Sequence, residues 1–267
     1  MFFLLLGEGG SDLGKSIDSP GPLLEPLKRI AGQISDESFD YDYVSKSELK
    51  DSAPVKNTSR RRNLLLRGNK RKFSGLVSVW RTAEALGAKA KSYGDGDCGA
   101  IYFSDCDYTN REVNNPEMYY DDLVKSMEHG FYSATGYKLG VPMVPRTRSE
   151  SWFLCHYQER PYENCGRFEL LPANDEAPTS GKKLLGRFFG CAPTVEEIYQ
   201  HITSEEVDWL NLSIPSFVFF KNRFVHVVER LMHIATTMPE PDTLKSDDLK
   251  VALRHGTRTG TTLRKGL

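Results

Sequence analysis

The sequence has no Cys-x-x-Cys pair, and its five cysteines (Cys98, Cys106, Cys155, Cys165 and Cys191) are an odd number. Zinc ribbons and disulfide frameworks need closer, paired spacings. Cys155-His156 with Cys165 lacks the second paired knuckle of a metal site, so reduced, mostly buried thiols are expected. No apolar run approaches the roughly 18 to 20 residues that cross a bilayer, and no membrane partner is expected. The apolar opening Met1–Leu6 has no basic flank and is shorter than the apolar core of about 7 to 15 residues in an export signal, so the expected location is cytoplasmic. An excess of one charge is also missing: 35 Lys and Arg against 36 Asp and Glu leave −1. That balance excludes a uniformly basic nucleic-acid coat but not a local patch. With 39% hydrophobic residues in 267, the chain can bury a core as one large domain or a domain with a subdomain.

What is present alternates strand and helix patterns. Residues 2 to 7 read as a buried strand that ends in a glycine-rich turn. Leu23, Leu24, Leu27 and Ile30 share one helical face, and residues 37 to 47 have the aromatic and Val content of a second strand. A helix over 73–90, a strand over 100–103, a helix over 116–129, a strand over 138–144 and a helix over 147–157 follow. After about Glu169 a linker leads into a mainly helical C-terminal region, with Ile198, Val207, Leu210, Phe217, Phe220, Phe224 and Val228 as core candidates. Phe219 falls off the Phe217, Phe220, Phe224 stripe and is a candidate contact for a second copy or another partner. The expected class is α/β, a mostly parallel sheet flanked by helices. In such sheets function gathers at the carboxyl ends of the strands.

Two acidic motifs fall there. Glu8 and Asp12 follow the first strand in Gly7-Glu8-Gly9-Gly10-Ser11-Asp12, and Asp105 and Asp107 follow a later one in Phe103-Ser104-Asp105-Cys106-Asp107. Side chains two apart on extended chain face the same way, so Asp105 and Asp107 can meet one cation, with Glu8 brought near by a neighbouring strand. Oxygen-only ligands favour Mg2+ or Mn2+, and a hard cation on carboxylates suits phosphodiester hydrolysis. From Lys56 to Lys72 there are eight cations and no acid; set against a whole-chain charge of −1, they leave the remainder at −9. Within this run Arg60, Arg61, Arg62, Arg67, Lys70, Arg71 and Lys72 are candidate nucleic-acid contacts, as are Arg146 and Arg148, whose forks suit phosphate.

Glu-Gly-x-Ser-Asp after a strand, then strand-Asp-x-Asp, resembles the TOPRIM domain shared by topoisomerases, primases and nucleases of the overcoming-lysogenisation-defect type. Val144-Pro-Arg-Thr-Arg-Ser-Glu150-Ser-Trp152-Phe-Leu154 resembles the strand and Glu-x-Trp-Leu helix of a bacterial TOPRIM-like family of unassigned function, often found beside ABC-type ATPases in phage-defence loci. The resemblance covers about residues 1 to 157, with echoes in Pro215-Ser216-Phe217. It implies a TOPRIM-like catalytic domain over 1–168, a basic insertion at about 48–72 that departs from the family pattern, and a helical region over 169–267. It further implies an Mg2+-dependent or Mn2+-dependent nuclease with Glu8 as acid/base or metal-side carboxylate and Asp105 and Asp107 as metal ligands; Asp12 and Glu150 are further catalytic candidates. The expected partners are nucleic acid (DNA or RNA), an ABC-type ATPase and a second copy of the chain. Glu150 has a second reading, since Thr147-Arg-Ser-Glu150 is also a capping box.

A rival motif overlaps the first. Gly9-Gly-Ser-Asp-Leu-Gly14-Lys15-Ser16 satisfies G-x-x-x-x-G-K-[ST] after a strand, the pattern of a P-loop nucleotidase. Against it, the helix that should open at Lys15-Ser16 and face phosphate meets Asp18-Ser-Pro-Gly-Pro22, and Asp12 and Glu8 would repel a polyphosphate. A third reading keeps the fold without catalysis, as a partner subunit of an ATPase complex.

Overall fold

The computed structural model describes residues 1–7, 12–52, 74–94, 96–106, 116–204 and 207–233. Phe2–Leu6 forms β1, followed by a small hairpin of β2 (Gly14–Ser16) and β3 (Ser19–Pro20) and by α1 (Leu24–Ile34). Then come β4 (Asp40–Tyr43), α2 (Lys46–Ser52), α3 (Ser74–Lys91), β5 (Cys98–Phe103), α4 (Pro116–Ser133) and β6 (Gly140–Met143). The rest is helical: α5 (Glu150–Leu154), a 3₁₀ turn (Cys165–Leu170), α6 (Gly181–Phe189), α7 (Val195–Ser204), a second 3₁₀ turn (Trp209–Asn211) and α8 (Pro215–Leu231).

Four of the strands pair in parallel in the order β4-β1-β5-β6. The central strands are apolar along their whole length because both faces are covered: Phe3 to Leu6 and all of Cys98–Phe103 are buried. The edge strand β4, Asp-Tyr-Asp-Tyr, alternates exposed and half-buried positions, and β6 tolerates Pro142 because it is the other edge. Gly99 lies under the Phe3 ring and Gly140 under the Phe131 ring of α4, where a Cβ would collide with either aromatic. These two glycines sit on opposite faces of the sheet, and each lets its covering layer approach.

α8 covers one of those faces. Phe217, Phe220, Phe224, Val227 and Val228 form its buried stripe. Phe224 meets Phe3 at 5.4 Å, and Phe220 stacks on Trp152 at 5.5 Å. The Trp152 Nε1–H donates to Ser216 Oγ at 2.9 Å. The Arg223 guanidinium donates to the Gly140 and Lys138 carbonyls, tying α8 to the start of β6. The C-terminal helices therefore share the sheet's core. No helix among the described residues is long and apolar enough to cross a membrane.

Three expectations change. Cys155 and Cys165 form a disulfide, whereas all thiols were expected to be reduced; Cys98, Cys106 and Cys191 carry no disulfide, and of these only Cys191 is exposed. The helix expected over 147–157 is confined to Glu150–Leu154, because the chain turns back so that the Tyr162 N–H reaches the Cys155 carbonyl at 2.8 Å. Leu210, expected in the core, is 43% exposed. The basic run Arg60 to Lys72 lies outside the described residues.

Phe219 is 40% exposed beside the fully buried Phe220. Phe219→Asp should leave unfolding free energy within about 0.5 kcal/mol of the parent, whereas Phe220→Ala should remove about 3–5 kcal/mol; denaturant titration of both variants checks the direction in which α8 faces. Thiol titration of the denatured, unreduced chain should find three reactive cysteines, and five after reduction. Five before reduction would contradict the Cys155–Cys165 bond.

Candidate functional site

The parallel register places three strand ends side by side: Leu6 pairs with Tyr102, and Phe103 with Met143. The chain leaves β1 toward β4 on one side and later returns to β5 on the other. The crevice between β1 and β5 is thus the switch point of the sheet, where open α/β sheets bind their ligands. Asp12 follows β1, Asp105 lies two residues beyond β5, and Ser149 and Glu150 lie in the segment that leaves β6.

Ser149 joins the two aspartates. Its N–H donates to Asp105 Oδ1 at 3.1 Å, and its hydroxyl donates to Asp12 Oδ1 at 3.0 Å. The hydroxyl therefore does not cap α5, although Ser149 stands at the N-cap. Glu150 occupies the first helical position with no side-chain cap beside it. A capping-box Glu would sit at the third, so the capping reading of Thr147 to Glu150 is overturned.

Neighbouring carboxylates raise the proton affinity of Asp105 and Glu150. Asp105 is held well above the ordinary carboxylate range, first by loss of water around it, then by the negative charges of Asp12 and Glu150. The Arg148 charge and the Ser149 N–H oppose that rise. Glu150 is also raised, first by burial, with Asp12 and Asp175 adding to it. Arg148 is anchored at the rim, where Nε donates to the Ala173 carbonyl at 3.3 Å and Nη2 lies 3.9 Å from Asp175. Arg146 turns inward: its guanidinium lies over the Tyr120 ring at 5.1 Å and 3.9 Å from the buried Glu169 carboxylate.

Of the predicted acidic set, the structure brings together Asp12, Asp105 and Glu150; Glu8 and Asp107 lie outside the described residues. Among the described residues, no group of three His, Cys, Asp or Glu comes close enough to hold a metal ion. Asp105 is thus the one described member of the predicted metal set. It sits with other carboxylates, all oxygen donors, under mutual repulsion that a hard cation would relieve. Ser149 was not among the predicted site residues.

Among the described residues of the rival motif, Asp12 to Ser16, the phosphate-loop geometry is missing. Gly14-Lys15-Ser16 is a strand of the β2–β3 hairpin, with Lys15 and Ser16 exposed, and the next helix begins only at Leu24. Backbone N–H groups of a helix N-terminus, which would cradle a phosphate, are therefore not offered after Lys15.

No family model, curated protein or solved structure matches this chain.

Between the usual Asp range and its raised value, folded Asp105 holds more protons than the unfolded chain, so stability falls as pH rises through that window. Asp105→Asn keeps an acceptor for the Ser149 N–H and removes the charge. In EDTA its Tm should exceed the parent's at pH 7, and the gain should vanish below about pH 4, where the unfolded aspartate is itself protonated. A lower Tm at pH 7 would show that the charge stabilises the fold.

Proposed function

We propose that the protein is a metal-dependent nuclease of TOPRIM type that hydrolyses nucleic-acid phosphodiesters. The observation that supports this reading is the carboxylate group Asp12, Asp105 and Glu150 at the switch point, with two of its members held by one serine. Such a group is costly to assemble in a half-dry crevice, and relief by a divalent cation gives it a use. Asp105, with Glu8 and Asp107, would hold Mg2+ or Mn2+. When bound, the cation supplies polarisation of the phosphate and a more acidic water.

The chain's own groups have separate tasks in this reading. Ser149 holds the Asp105 and Asp12 carboxylates in fixed orientation, so that neither swings away when its neighbours repel it. Glu150, whose burial raises its proton affinity, would accept a proton from the attacking water. Arg148, fixed at the rim by Ala173 and Asp175, presents a cation toward the crevice without neutralising it fully.

The full-length protein should cleave labelled single-stranded or duplex DNA or RNA with Mg2+ or Mn2+ and not in EDTA. Asp105→Asn should abolish cleavage. Ser149→Ala should reduce it by about 10–100-fold, the usual effect of removing a group that orients a ligand. Lys15→Ala should leave it unchanged. Loss of activity in Lys15→Ala with full activity in Asp105→Asn would overturn the proposal in favour of the nucleotidase reading.

A further inference from the structure

The segment that closes the crevice is gripped at both ends by one 3₁₀ turn, Cys165–Leu170. At its near end Arg146, in the stretch that leaves β6, lies 3.9 Å from the buried Glu169 carboxylate. At its far end Cys155, which follows α5, is bonded to Cys165. Ser149 and Glu150 lie between these anchors. α5 has only five residues, too few to hold a helical shape alone, so outside anchors set where its first residues stand. The two anchors are unequal. Arg146 Nε is buried with no acceptor, and the guanidinium meets Glu169 near the outer limit of an ion pair. The covalent bond is the stronger hold.

The same bond closes a ring of contacts. Trp152 of α5 donates through Nε1 to Ser216 Oγ at 2.9 Å, and the Ser216 N–H donates to Glu169 Oε1 at 2.6 Å. From Glu169 the 3₁₀ turn leads back to Cys165, and Cys165 to Cys155 at the end of α5. Cutting the ring at sulfur leaves α5 tied to α8 through Trp152 and frees its end. Hydrogen bonds weaken steeply with distance and angle. A small rotation of α5 about Trp152 therefore weakens both bonds by which Ser149 holds Asp105 and Asp12.

The bond is covered by a loop that can lift. Cys155 and Cys165 are buried, yet between them Glu159, Arg160, Pro161, Glu163 and Asn164 are exposed. Tyr162 and Asn164 hold φ of 68° and 51°, a left-handed region that residues with a Cβ seldom adopt. The half-buried Gln158 amide lies 3.7 Å from Cys165 Sγ and donates to the Cys155 and Glu163 carbonyls at 3.1 and 3.0 Å. A strained, exposed loop opens more readily than the buried sheet, and its opening bares the sulfurs.

We infer that the Cys155–Cys165 bond is a redox switch on the crevice, opened by a dithiol reductant and closed again by disulfide exchange. A thiolate of the dithiol attacks one sulfur to form a mixed disulfide, and its second sulfur then displaces that cysteine. Two electrons and two protons pass from the reductant, which becomes a disulfide, to Cys155 and Cys165, which become thiols. Reoxidation runs the same exchange against a small disulfide such as oxidised glutathione, which leaves as two thiols. The oxidised protein holds Ser149 against both aspartates, and the reduced protein releases it. That hydrolysis is what the switch controls rests on the nuclease reading; the grip on Ser149 does not.

The test uses the full-length protein carrying Cys191→Ser, which removes the one exposed thiol; Cys98 and Cys106 are buried and carry no disulfide. Titration in denaturant should find two thiols before the folded protein is treated with dithiothreitol and four afterwards. A count that stays at two overturns the switch. Hydrogen exchange read by mass spectrometry then compares the two forms in EDTA. Reduction should speed exchange several-fold over 146–154 and 165–170 and leave β1 and β5 unchanged, and oxidised glutathione should restore the slow exchange. No change over 146–154 would make the bond a local staple, and acceleration that spreads to β1 and β5 would make it a general brace. Either result overturns the switch.

Cys155→Ser/Cys165→Ser should exchange like the reduced form and ignore the dithiol; if that variant does not fold, the protein with both cysteines decides. Cleavage in Mg2+, measured after the dithiol is removed, separates this inference from the nuclease reading. A loss of about tenfold or more on reduction, the scale expected when an orienting partner is lost, sustains both. Redox-dependent exchange with no cleavage in either form would sustain the grip and overturn the nuclease. Cleavage that reduction leaves unchanged would overturn the switch and sustain the nuclease.

Discussion

Parallel pairing of β1 with two neighbours, β4 on one side and β5 on the other, is the constraint from which the rest follows. A strand hydrogen-bonded on both edges and apolar on both faces must lie in the middle of the sheet. The chain can then leave it on one side and return on the other only by opening a crevice at its carboxyl end. Asp12 and Asp105 emerge on either side of that crevice, and the segment after β6 closes it with Ser149 and Glu150. Covering both faces at once requires the aromatic layers that Gly99 and Gly140 admit. The C-terminal helix α8 is therefore part of what holds the strand ends in register.

The site stores an electrostatic conflict. Asp105 and Glu150 lose water and both feel the charge of Asp12, so each holds its proton more tightly than an ordinary carboxyl. Two neutral hydrogen bonds from a single serine and one arginine at the rim offset only part of this cost. In a purely structural role such a cluster would be a weakness, since apolar replacements would pack as well with no charge to bury. In the proposed role the same conflict keeps the crevice receptive to a cation and raises the proton affinity of the carboxyl that would act as general base.

Much of this could be read from the sequence where it depends on neighbours along the chain. Phe2–Leu6 and Cys98–Phe103 announce buried strands by unbroken apolar runs, and Asp105 announces itself by following one of them. The Phe217, Phe220, Phe224 stripe showed which side of α8 is buried. What escaped depends on partners far apart in the chain. Ser149 matters because its hydroxyl reaches Asp12, 137 positions away; locally its segment looks like an ordinary helix cap. The Cys155–Cys165 bond spans ten residues through a turn that no short motif marks. Leu210 has a core residue's chemistry, yet it sits in a 3₁₀ turn whose neighbour Trp209 takes the buried place. Lys15-Ser16 shows the opposite failure, a motif satisfied residue by residue in a segment that folds as a hairpin.

The central claim is that the carboxylates at the switch point hold a divalent cation on which nucleic-acid hydrolysis depends. Crystals of the full chain grown with Mn2+ and measured at the manganese absorption edge test it most directly. The account expects one anomalous peak at the carboxyl ends of β1 and β5, within coordination distance of an Asp105 carboxylate oxygen, and no such peak in crystals of Asp105→Asn. A peak elsewhere on the molecule with the crevice left empty, or a peak that persists unmoved in Asp105→Asn, would contradict it.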